Sequence, residues 1–138
     1  MNQEFEDFLN FLADNIENIL GNLQGAGNGM ASMNKSEEAE LMQQMKSEFP
    51  ALFEYAQQRK RTIEATGNRR FSVVATIRRM VLGIPSHPLP PDGIPPPIIK
   101  REMGDEEWWF EYHWDFNSII LLMMDRVGID EVRTIMGL

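Results

Sequence analysis

The sequence contains no cysteine in its 138 residues. That excludes disulfides and thiolate chemistry and points to a reducing, cytoplasmic compartment. Long apolar runs are missing as well. The longest, IILLMM at 119–124, is far below the roughly 20 residues that a bilayer span requires. The opening MNQEFEDF is acidic, where a secretory leader would be basic. The expectation is a soluble intracellular protein with no membrane partner. Catalytic signatures are also absent: there is no nucleophile beside a base, no glycine-rich phosphate loop after a strand and no H-E-x-x-H pattern. No catalytic residue, metal ligand or cofactor is assigned.

A chain of this length suits one domain and buries roughly two-thirds of its unfolded surface. With 43% hydrophobic residues it needs no staple. The net charge of −8 conceals a pattern. From Met1 to Gln58 ten acids oppose two bases, from Arg59 to Arg79 seven bases oppose one acid, and from Met80 to Leu138 ten acids oppose four bases, giving −8, +6 and −6. A basic belt of Arg59, Lys60, Arg61, Arg69, Arg70, Arg78 and Arg79 thus lies between two acidic arms. Such a belt attracts phosphates, while the arms repel a nucleic-acid backbone. Neutralisation of belt by arms, within the fold or across a dimer, is the simpler account of the same letters.

The first segment, Glu4 to Leu23, is amphipathic. Phe5, Phe8, Leu9, Leu12, Ile16, Ile19, Leu20 and Leu23 recur at three- and four-residue steps. Within that stripe Phe5, Leu9, Leu12, Ile16, Ile19 and Leu23 keep a near-heptad spacing, which suits a short coiled-coil seam as well as a bundle face. The expected organisation is a helical arm at 1–24, a glycine-rich linker at 25–35 and a globular domain at 36–138. Asn34 with Glu37 forms a capping signal for a helix through Met45. Pro50 suits the first turn of the next helix, which carries Leu52, Phe53, Ala56 and Ile63 inward and runs to about Glu64. The segment TGNRRFSVVATIRRMVLG carries both helical and strand spacing; a helix from about Asn68 to Leu82, stopped by Gly83, is the expectation.

Seven of the eight prolines fall between Pro85 and Pro97, and a stiff polyproline strap at 84–97 is expected there. After Gly104 the period becomes two. Trp108, Phe110, Tyr112, Trp114 and Phe116 share even positions, which predicts an aromatic strand, or a hairpin that turns at Gly104–Asp105 and pairs back with 98–103. Trp109 is the one aromatic on the odd face and the ring expected to meet a partner or stack on a base. Glu111, His113 and Asp115 share that face in a pattern with metal-binding chemistry, although a solvated strand explains the same letters. Two short helices complete the chain, the first capped at Asn117 or Ser118 and stopped by Gly128, the second capped by Asp130 with Val132, Ile135 and Met136 inward.

The fold class expected is α+β, mainly helical: an N-terminal arm, a helical middle, a proline strap, an aromatic strand or hairpin, and a C-terminal helix pair. The function expected is a non-enzymatic protein-interaction module, such as an adaptor, an assembly chaperone or an acidic inhibitor, which self-associates through the N-terminal helix as a homodimer or binds another protein. Its contact residues would be Phe5, Leu9, Leu12, Ile16, Ile19, Leu23 and Trp109. The alternative is a single-strand nucleic-acid binder that uses the belt. A metal-dependent enzyme ranks third.

Overall fold

Asn2 opens the first helix. Its side chain accepts the N–H of Glu4 at 2.8 Å, satisfying one of the donors that a first helical turn leaves without a partner. The computed structural model describes residues 2–24, 33–65, 70–83 and 104–138, with side chains in the last two stretches from 73 and 115 onward. Its helices are α1 (Gln3–Asp14), α2 (Ile16–Gln24), α3 (Lys35–Glu48), α4 (Pro50–Ala65), α5 (Arg70–Leu82), α6 (Gly104–Val127) and α7 (Ile129–Ile135). No strand occurs among the described residues.

The amphipathic first segment is two helices. They part at Asn15 (φ −119°, ψ 27°), whose side-chain amide donates to the carbonyl of Phe11 at 2.9 Å. An asparagine bonded to nearby backbone competes with helix continuation. The caps expected further along are present: Asn34 accepts from the N–H of Glu37 at 2.9 Å, and Pro50 begins α4. Phe49 ends α3 because the residue before a proline is driven out of helical geometry. Leu52, Phe53, Ala56 and Ile63 point inward as expected.

Helix α6 is the axle of the fold. Residues 116 to 124 are buried without a break, since α3, α4, α5 and α7 all pack against this helix. From Phe116 to Met124 the helix is covered on every side, so this stretch needs no polar face.

The main correction concerns the first half of this helix. The segment 106–116, expected as a strand, lies in the first half of α6. The preference of aromatic rings for strands reflects their fit to a half-buried pleated surface and yields to tertiary context. Gly104 and Asp105 begin this helix rather than turn a hairpin. Asn117 and Ser118 sit inside it and cap nothing. Gly128 (φ 130°), not Asp130, precedes α7, and Ile135, expected inward, is 36% exposed. The glycine-rich stretch 25–32, the strap at 84–97 and the proposed strand 98–103 lie outside the described residues.

Both N-terminal helices belong to this core. Phe8, Phe11, Leu12, Ile19 and Leu23 join Leu52, Ile63, Val74, Val81 and Ile120 in one buried cluster. Phe8 and Phe11 each meet Phe49 edge-on, with ring centroids 5.5 Å apart, and this fixes α1 over the α3–α4 junction.

Candidate functional site

A helix leaves N–H groups unpaired at its start and carbonyls at its end, and the aligned peptide dipoles favour an anion at the first and a cation at the second. Three helix ends here are completed by side chains from other helices. Glu4 of α1 accepts the N–H of Leu52, in the first turn of α4, at 2.8 Å. Arg78 of α5 donates to the carbonyls of Leu23 and Gln24, the last residues of α2. Arg133 of α7 donates to Val81 at 2.9 Å and Met80 at 3.4 Å, at the end of α5, and to Leu138 at 3.3 Å.

These contacts redistribute the basic belt. Arg78 and Arg79 retain 3% and 6% of their surface. Lys60 bridges helices, donating to Glu64 one turn along α4 and to Asp115 of α6 at 3.0 Å. Burial opposes the charge of Lys60, but hydrogen bonds and attraction from both carboxylates outweigh it and hold its pKa above 10.5. Arg59 and Arg61 are exposed on α4. Arg69 lies outside the described residues, as do the side chains of Arg70 and Trp109. The structure therefore does not gather the seven cations on one described surface.

The expected seam divides in a similar way. Leu12, Ile19 and Leu23 are fully buried within the chain. Phe5 is half-covered, with the Arg126 guanidinium 5.3 Å from its ring centre and 5.7 Å from that of Tyr55. Leu9 and Ile16 stay partly exposed. Of the E-x-H-x-D pattern, Asp115 is held by Lys60. Residues two apart do not share a helix face, and no group of three potential ligands forms among the described residues.

Two grooves flank α1. Between α1 and α7, Leu9, Asp130, Glu131, Thr134 and Ile135 line an open groove of about 330 Å³. On the other side, Asp7, Asp14 and Glu48 border a groove of about 490 Å³ that has Phe11 and Phe49 among its walls. Between Gln3 and Gln24 there is no lysine or arginine. Glu6, Asp7, Asp14, Glu17, Asp130 and Glu131 make no ion pair among the described residues. The α1–α7 surface is therefore apolar in its groove and acidic around it. Its second wall was not legible in the sequence, because Ile135 shares its helical spacing with the buried Val132 and Met136.

Compared with protein-family models, curated proteins and solved structures, the chain matches none. Among the described residues no helix is long and apolar enough to cross a membrane.

Proposed function

We propose that this chain is a protein-interaction module rather than an enzyme, and that it meets its partner on the outer side of the N-terminal helices. The observation that carries this reading is the pairing of Leu9 with Ile135 across the α1–α7 groove, under a rim of acids that make no ion pair among the described residues. An apolar anchor point ringed by polar groups is the usual anatomy of a protein contact. Self-association through the full seam has less support. It would have to expose Leu12, Ile19 and Leu23, each worth roughly 1.5–3 kcal/mol of burial.

The test is site-specific crosslinking in the cells that make the protein. A photoreactive side chain at position 135 is expected to give discrete adducts with another protein, and one at the exposed position 54 of α4 is not. Equal labelling from both positions, or none from 135, would remove this reading. Single-strand nucleic-acid binding draws its support from Arg59 and Arg61, which are exposed. It predicts oligonucleotide binding at low salt that collapses when both become alanine.

A further inference from the structure

We infer that the α1–α7 groove receives a cationic amphipathic helix of a partner protein, an assignment that rests on the interaction reading above and names the chemistry of the partner. Shape and charge argue separately for it. The groove is shallow, about 330 Å³, at the lower end of the roughly 300–1,000 Å³ found for small-molecule sites. It is also open to solvent, which suits one or two apolar anchors carried on a helix laid across it.

Charge then selects among helices. Asp130 and Glu131 stand on one wall, and Glu6 is exposed on α1 one turn from Leu9. The Glu131 carboxylate lies over Gly128, where a Cβ would collide with it. The one base of α7, Arg133, points away from this rim and donates to carbonyls of α5 and to that of Leu138. No cation of α1 or α7 is left to neutralise the rim. A helix carrying leucines on one stripe and lysines or arginines beside it satisfies both groove and rim. An acidic helix meets like charge, which interfaces exploit to reject wrong partners.

The probe is a synthetic peptide of about 14 residues, roughly four helical turns, with leucine on one stripe and lysine elsewhere. Its binding to the full chain is followed by fluorescence anisotropy. Two controls accompany it: the same composition scrambled so that no stripe forms, and the same stripe with glutamate in place of lysine. The striped cationic peptide is expected to bind, with both controls at least about tenfold weaker. Ile135→Lys and Asp130→Lys, both at exposed positions, are each expected to weaken it by roughly tenfold while the circular dichroism spectrum stays the same. Equal binding of the scrambled peptide would reduce the effect to bulk charge and overturn the inference. So would equal binding of the acidic peptide, unchanged affinity in both variants, or no binding at all. If the peptide fails while crosslinks from position 135 persist, the cationic assignment falls and the interaction reading stands; if both fail, both fall.

Discussion

The guanidinium of Arg78 closes the C-terminal end of α2 by donating to the carbonyl of Leu23, a residue 55 positions earlier in the chain. A cation at that end also complements the helix dipole. Arg78→Met keeps the apolar stem but orphans the buried Leu23 carbonyl and the part-buried Gln24 carbonyl. Stability is expected to fall by roughly 2–3 kcal/mol, read as a lower urea midpoint at unchanged slope. An unchanged midpoint would mean that water replaces the arginine at no cost.

Asn117 presents the opposite case. It is fully buried on α6, and among the described residues neither its amide nitrogen nor its oxygen has a hydrogen-bond partner. An unsatisfied buried polar group costs about 1–3 kcal/mol. Asn117→Leu, similar in shape, is therefore expected to raise the melting temperature by several degrees. A lower melting temperature would show that the amide is bonded in solution.

Gly83 and Gly137 form a matched pair. Both have φ of 73°, yet a Cβ at Gly83 would lie 2.7 Å from Arg133 Nη1, whereas at Gly137 it meets nothing within 4 Å. Gly137→Ala is expected to cost about 1 kcal/mol from left-handed backbone alone. Gly83→Ala should cost more, because the guanidinium must also leave the carbonyls of α5. Equal melting temperatures for the two variants would contradict the contact.

These contacts mark where the sequence is silent. Asn34 and Pro50 announce helix starts through local chemistry, and both starts were legible. So was α5, where Val74, Ile77 and Val81 keep helical spacing. Arg78 reads as one more solvated charge, because the carbonyls it serves are remote in the chain. Of helix α6, the part from Asn117 to Val127 was expected as a helix, whereas the alternating aromatics of its first half imitated a strand. Of the candidate site, the stripe with Leu9 was visible, but its pairing with Ile135 depends on how α7 rotates against α1.

Lys60 makes stability depend on alkaline pH. Its folded pKa is raised, so its contribution is fully present below the unfolded value of 10.5 and is lost as pH rises through the higher folded value. In that window the unfolded chain gives up its proton first. Melting temperature is expected to decline above pH 10.5 more steeply in the wild type than in Lys60→Met. Parallel curves would show that the bridge to Glu64 and Asp115 does not persist in solution.

The position of α6 in the chain has a further consequence for synthesis. Helices α3 to α5 leave the ribosome before the helix they enclose, and synthesis advances at only about 5–20 residues per second. For that interval Leu52, Phe53, Ile63, Val74 and Val81 lack the partner surface that α6 later supplies. The packing of α3, α4 and α5 around α6 is therefore completed only late in synthesis. A fragment stopped before Gly104 is expected to bind chaperones that hold apolar segments, and one extended past Val127 to bind them less.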